Sequence, residues 1–320
     1  MLKRGFVTVA TGKYYCWLAE SLIMSYRLFS DTKYPMYVIT DREGEKRLKK
    51  LFDGVIVMEN PTYSFLDKIR VYDNTVFEET IFLDADMHIT KDISFLFDAF
   101  EENGSEISCL GEFRAITDEV RPNHFGQAAV ERFHLDKYIA FNGGVYYFKK
   151  SEKAQECMHF IQNELLPNYD EYELKYFGVG KKADEPLIGL AMLLRRFSPL
   201  CLIQGAVMCL VGEGMDSLSW NFKQKEASFI WYGKKVAPPM VHYATWCTYK
   251  FKYIKYNIKV KGLYKKTWKP IVGIQVFFAA IKWALSPRQL KSFFKWVGAH
   301  FTISWVKYRW SKLKERFNKN

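Results

Sequence analysis

The sequence predicts a mixed α/β domain built on a Rossmann-like sheet, followed by a basic helical extension, and three observations carry that expectation. Short apolar runs alternate with amphipathic stretches through the first 84 positions, the signature of βαβ units. The run Ile81-Phe82-Leu83 leads directly into Asp84-Ala85-Asp86, as a buried strand does when it delivers polar groups to a sheet edge. The charge balance changes at Lys250: residues 250–320 hold 18 Lys and Arg against the single acid Glu315, whereas residues 1–249 hold 29 against 34 acids. A mildly acidic body (1–249) and a strongly basic tail (250–320) are therefore expected. An apolar content of 49% is ample for a core and excludes global disorder.

Taken in order, residues 5–9 read as a strand and 14–29 as a helix, with Trp17, Leu18, Leu22, Tyr26 and Phe29 at helical spacing. Strands are expected at 36–39 and 54–58 around a charged helix at 43–52, then a helix at 65–77 and the strand 80–83. Beyond the two carboxylates come a short helix at 95–100, a strand at 106–110 and a long irregular connection over 111–139. A connection of that length in a compact domain suits a substrate-binding loop or lid. A strand over 140–148, helices over 151–166 and 186–195, and a last strand ending at Val241-His242-Tyr243 complete the body.

The six cysteines show no CxxC pairing, which argues against a zinc ribbon or disulfide framework and fits a reducing cytosol. The first strand starts almost at once, leaving no room for a signal peptide, and the longest uncharged apolar run, 271–281, is too short to span a bilayer.

Several residue groups point to chemistry. Asp84 and Asp86 offer two hard oxygen donors at a sheet edge, suited to Mg²⁺ or Mn²⁺ carrying a phosphate, although a strand ending in an Asp-rich turn would read the same. Val9-Ala10-Thr11-Gly12 follows the first strand where a dinucleotide site would show GxGxxG, and only Gly12 is there. Thr11 offers a hydroxyl and Tyr15 an aromatic face to a base; a helix cap beside a half-buried tyrosine accounts for them equally. Asn142-Gly143-Gly144 places two glycines in a strand, as where something approaches the backbone closely. Asp184 and Glu185 open a helix with Pro186 at its first position; the helix dipole accounts for one acid better than for two. His242 supplies the imidazole that a two-carboxylate Mn²⁺ site lacks, though a lone histidine more often serves the core.

In this order the landmarks resemble glycosyltransferase family 8, the retaining sugar-nucleotide transferases that include glycogenin and the lipopolysaccharide galactosyl- and glucosyltransferases. The resemblance covers about residues 5–250. It implies a GT-A fold with the basic extension appended, Mn²⁺ (or Mg²⁺), and a UDP-sugar donor whose hexose passes with retention to a glycan or glycolipid acceptor. It implies that Asp84, Asp86 and His242 hold the metal. Val9, Thr11, Tyr15, Lys68, Ala85, Asn142, Gly143 and Gly144 join them in binding the donor. Asp184 and Glu185, with Asn142, would lie at the reacting carbon. Two positions depart from the pattern: Glu185 stands where the family has glutamine, and Thr245 and Thr248 stand where it has a glycine and a diphosphate-contacting lysine.

In the tail, Ser286-Pro287-Arg288-Gln289 reads as a capping box opening a helix with Leu290, Phe293, Phe294, Val297, Phe301, Trp305 and Tyr308 on one face. A cationic amphipathic helix of this kind lies in a membrane interface, so residues 250–320 are expected to hold the enzyme on the cytoplasmic face of an anionic membrane, beside a lipid-linked acceptor. Packing on the body is the second reading, and no nucleic-acid partner is expected. The rivals in function are a sugar-nucleotide nucleotidyltransferase, which should show a Gly-rich phosphate loop absent from residues 9–15, and a catalytically dead transferase body that binds membranes.

Overall fold

The structure is a computed structural model and describes residues 2–32, 34–117, 126–174, 182–202, 208–210, 214–231 and 233–292. The chain forms two compact units, Met1–Lys250 and Phe251–Asn320. The first opens with β1 (Leu2–Ala10), α1 (Gly12–Phe29), β2 (Met36–Thr40), α2 (Arg42–Leu48) and β3 (Gly54–Val57). A 3-10 turn (Phe65–Arg70), α3 (Val71–Asn74), β4 (Phe77–Leu83), β5 (Met87–Ile89) and α4 (Phe95–Asn103) follow. Next come β6 (Ile107–Ala115), α5 (Gln127–Phe133), β7 (Lys137–Lys149), α6 (Glu152–Phe160) and α7 (Asp184–Leu194). The unit closes with β8 (Met208–Leu210), β9 (Ser219–Asn221), β10 (Glu226–Trp231), β11 (Lys234–Val236), β12 (Met240–His242) and α8 (Ala244–Cys247).

The main sheet has the order β3-β2-β1-β4-β7-β6. The first four strands are parallel, and β7 enters antiparallel between β4 and β6. The α/β class expected from the alternation is thus observed as a mixed sheet. Fully buried Val7, Ile39, Phe82, Tyr146 and Phe148 belong to one apolar cluster with α7, whose residues from Asp184 to Met192 are all buried. Because β1, β2 and β4 are parallel, Ala10, Thr40 and Leu83 end on one edge. There Asp41 accepts from the backbone N–H of Gly12 (2.6 Å) and of Gly44 (2.7 Å), tying the first turns of α1 and α2 together.

Several expected boundaries shift. The segment 65–77 is a 3-10 turn and one turn of α3, and β4 begins at Phe77. The predicted irregular stretch 111–139 is largely regular: β6 runs to Ala115, α5 covers 127–133 and β7 starts at Lys137, while 118–125 lie outside the described residues. The outer half of β6, residues 111–115, is largely exposed and carries Glu112 and Arg114, so no apolar run marks it as strand. Helix α7 starts at Asp184 rather than Pro186, so the two acids sit in its first turn and the proline within it.

The second unit, where described, is a helical pair, α9 (Phe251–Tyr264) and α10 (Lys269–Ala284). Val272 approaches Gly262 so closely that a Cβ there would come within 2.6 Å of it, and the rings of Phe251 and Trp283 lie 5.9 Å apart. Of the amphipathic helix expected from Ser286, residues 287–292 are helical and 293–320 lie outside the described residues. No described helix is long and apolar enough to cross a membrane.

Candidate metal and donor site

The site is assembled by strand register. Strand β4 ends at Leu83 opposite Val145 of β7, and the Asp84 N–H donates to the Gly144 carbonyl (2.9 Å), so the DxD turn leaves the sheet beside the glycine pair. Strand β5 then pairs antiparallel with β12, setting His242 opposite Met87. The Tyr243 N–H donates to the Asp86 carbonyl (3.3 Å), fastening the histidine strand to the same turn. Residues more than 150 positions apart in sequence thereby converge.

One donor atom from each of Asp84, Asp86 and His242 falls within 4.8 Å of the others. His242 Nε2 stands 3.0 Å from Asp86 Oδ1 and 3.5 Å from Asp84 Oδ2. Neighbouring ligands on an octahedral ion with bonds of about 2.1 Å lie about 3 Å apart, which these separations approach. Asp86 Oδ1 is buried and is met only by the His242 imidazole, its fellow candidate ligand, with no other group of the protein donating to it. Two hard oxygens and an imidazole make a donor set that fits Mn²⁺ or Mg²⁺. Burial opposes a charge on His242, but Asp86 and Asp84 outweigh it and raise the imidazole to about 9. A divalent cation would displace that proton from the shared nest. Asp84 is held below the usual carboxylate range: burial works against its charge, and Lys68 and His242 prevail.

Lys68 arrives from the 3-10 turn, its Nζ 2.7 Å from Asp84 Oδ1, 2.9 Å from Oδ2 and 3.8 Å from Asp184 Oδ2. Its neighbour Asp67, fully buried, anchors that turn by accepting from the Thr11 hydroxyl (2.8 Å), the Thr62 hydroxyl and backbone (2.7 Å each) and the Tyr63 N–H (3.1 Å). Thr11 therefore stands at the N-cap position of α1 but spends its hydroxyl on Asp67. The cap that sequence suggested for it is supplied by Asp41.

The glycine pair fits its surroundings by lacking side chains. A Cβ on Gly144 would lie 2.6 Å from Met87 Cε and 2.8 Å from His242 Nδ1. One on Gly143 would lie 2.5 Å from Tyr146 Oη and 3.2 Å from a carboxylate oxygen of both Asp184 and Glu185. Glu185 accepts from the Gly143 N–H (3.0 Å), Asp184 accepts from the Tyr146 hydroxyl (2.7 Å), and Asn142 accepts from the Gly144 N–H (3.1 Å). Burial pushes the Asp184 carboxyl up to about 6, with Lys68 pulling the other way.

Val9 and Ala85 sit at the ends of β1 and β4, and Tyr15 is half-buried beside the Tyr14 ring. The residues that sequence reasoning passed over are Tyr14, Asp67 and Tyr146. Tyr14 hydrogen-bonds Thr248 and stacks on Tyr249 (5.9 Å between centroids), so Thr248 is buried against a tyrosine of α1. Lys250 is exposed, and the side chain of Thr245 lies outside the described residues. No local pattern marks Tyr14 or Tyr146 among 20 tyrosines; only the packing of distant elements does.

No family model matches the sequence, and no curated protein matches it. Among solved structures, mouse xyloside xylosyltransferase 1 in its apo form is 11% identical with a TM-score of 0.47, over 76% of this chain and 98% of that one. The galactosyltransferase LgtC, in complex with donor and acceptor sugar analogs, is 11% identical with a TM-score of 0.46, over 75% of this chain and 87% of that one. The glycosyltransferase GlyE of Streptococcus pneumoniae is 13% identical with a TM-score of 0.40, over 63% of this chain and 46% of that one. Each is a likeness of chain path and says nothing of the chemistry at Asp84 and Asp86.

Proposed function

We propose that the chain is a metal-dependent, retaining glycosyltransferase that moves a hexose from a UDP-sugar to a glycan acceptor. The observation that carries this reading is the convergence of Asp84, Asp86 and His242 with Lys68 and the Asp184-Glu185 pair around two glycines at one sheet edge. A bound Mn²⁺ or Mg²⁺ would supply the positive charge that neutralises a departing diphosphate. Asp84, Asp86 and His242 would hold it. Lys68, already between Asp84 and Asp184, adds a second positive charge within reach of the same leaving group. Gly143 and Gly144 let the Asp184-Glu185 carboxylates and the His242 ring close on the strand, and Asn142 accepts from the Gly144 N–H.

Asp184 and Glu185 lie across from those glycines, each fixed by one hydrogen bond from β7, and present negative charge to a sugar that turns oxocarbenium-like as the bond to UDP lengthens. The acceptor hydroxyl then attacks from the face that UDP leaves, its oxygen replacing the diphosphate oxygen on the sugar and its proton passing to the departing diphosphate, which retains configuration without a covalent sugar–enzyme bond. The acceptor we infer is lipid-carried, such as a lipopolysaccharide core, with the enzyme peripheral on the cytoplasmic face. Its support is the basic, aromatic composition of residues 250–320.

The test is UDP release from a panel of UDP-sugars with Mn²⁺ and with EDTA. Slow hydrolysis of one donor, lost with EDTA and in Asp84→Asn, is expected and would identify the sugar. Donor turnover that persists in a folded Asp86→Ala variant would remove the metal assignment, and absence of both turnover and metal-dependent UDP binding would leave a dead body.

A further inference from the structure

We infer that α10 carries a membrane-insertion surface and that its occupant is an anionic bilayer. The inference deepens the membrane part of the reading above and is independent of its chemistry. Ile271, Ile274, Phe277, Phe278, Ile281 and Leu285 are all exposed, with Phe277 at 62% and Phe278 at 63%. At 100° per residue they span an arc of about 120°, one continuous face rather than scattered single residues. No residue of α10 is buried, and its opposite side, Val272 and Trp283, meets α9. Isolated apolar side chains on a surface are ordinary, whereas a contiguous face of six large ones marks a contact.

Charge identifies the partner. Lys265, Lys266 and Lys269 precede this face, Lys282 borders it, and Arg288 and Lys291 follow it, while residues 251–292 contain no acid at all. Trp268, 70% exposed, stands at its head, where an amphipathic ring suits the headgroup level. An apolar stripe framed wholly by cations matches acyl chains below anionic headgroups, and such helices lie in the interface plane about 5–10 Å deep. At 16 residues α10 is about 24 Å long, short of the roughly 30 Å hydrocarbon core, so it lies in the surface and does not cross it. The positive charge continues in sequence beyond α10, where residues 293–320 carry seven Lys and Arg against Glu315.

The experiment is co-sedimentation of the full chain with vesicles of phosphatidylcholine alone and of phosphatidylcholine with phosphatidylglycerol, comparing wild type with Ile274→Gln/Phe277→Gln/Phe278→Gln. These side chains are exposed, so the variant should keep the wild-type circular dichroism and melting temperature. The expected result is binding to the anionic vesicles, at least tenfold weaker in the variant, and little binding to phosphatidylcholine alone. Equal binding by variant and wild type would overturn the assignment to α10 while leaving membrane association standing. Absence of vesicle binding would overturn both, as would a wild-type dimer that the variant dissolves, since the face would then meet a second copy. Equal binding to neutral vesicles would overturn the anionic partner.

Discussion

Asp184 shows what burying a single carboxyl costs the fold. It is buried in the first turn of α7 with its carboxyl pushed up to about 6 by burial, above the ordinary value of 3.8. The folded state therefore resists ionising it, and stability falls as pH rises from about 4 to 6, then stays level. Asp184→Asn keeps an acceptor for Tyr146 and removes that penalty. The expected outcome is a gain of about 1–3 kcal/mol at pH 7 that vanishes below pH 4, with donor turnover lost. Thermal melts at pH 4, 5 and 7 check it, and equal melting temperatures for variant and wild type at pH 7 would refute the burial penalty. Gly144 sets the opposite constraint. Gly144→Ala forces a methyl into Met87 and the His242 ring, with an expected cost of about 1–3 kcal/mol and a measurable loss of Mn²⁺ affinity by calorimetry. Wild-type affinity would mean that His242 is not a ligand.

At the scale of elements, the site depends on helix starts and strand registers that are set far from the chemistry. Asp41 serves α1 and α2 together, so Asp41→Ala leaves two N-terminal turns uncapped at once. A loss of about 1–3 kcal/mol is expected in urea denaturation, more than a surface Asp→Ala change usually costs. A loss below about 0.5 kcal/mol would show that water replaces the carboxylate. The element-level reading of sequence succeeded where a buried strand gave an unbroken apolar run, as at Ile81-Phe82-Leu83, and missed the start of the same strand, where Glu78 and Glu79 interrupt it. It failed in the outer half of β6, where exposed Glu112 and Arg114 break the apolar pattern. It also missed α10 as a surface helix, because an apolar run without polar alternation reads alike whether its exposed face meets protein or lipid.

Across the whole molecule, charge is segregated between an acidic body and a basic tail. Attraction of the tail to anionic lipid is screened over about 8 Å at physiological salt and about 3 Å at 1 M. Vesicle binding is therefore expected to weaken severalfold between 0.1 and 0.5 M NaCl without disappearing, because the apolar face of α10 is insensitive to salt. Binding unchanged by salt would leave the cations without a role, and sedimentation over a salt series reads it directly.

The sequence by itself determined the α/β class, the strand that delivers Asp84 and Asp86, and the division near Lys250, because period, apolar runs and charge are local properties of the chain. The residue groups of the site were also legible there, Lys68, Asn142-Gly143-Gly144, Asp184-Glu185 and His242 among them, but only as separate motifs each with an ordinary explanation. Tertiary structure decided that they share one edge. The pairing of β12 with β5 sets His242 beside Asp86, and α7 brings Asp184 within 3.8 Å of Lys68. It also decided that Thr11 binds Asp67, that Asp41 is the cap, and that Tyr14 rather than Tyr15 meets Thr248. The physical reason is the same in each case: a polar group's partner is fixed by which strands and helices pack together, and a single sequence does not encode that distance locally.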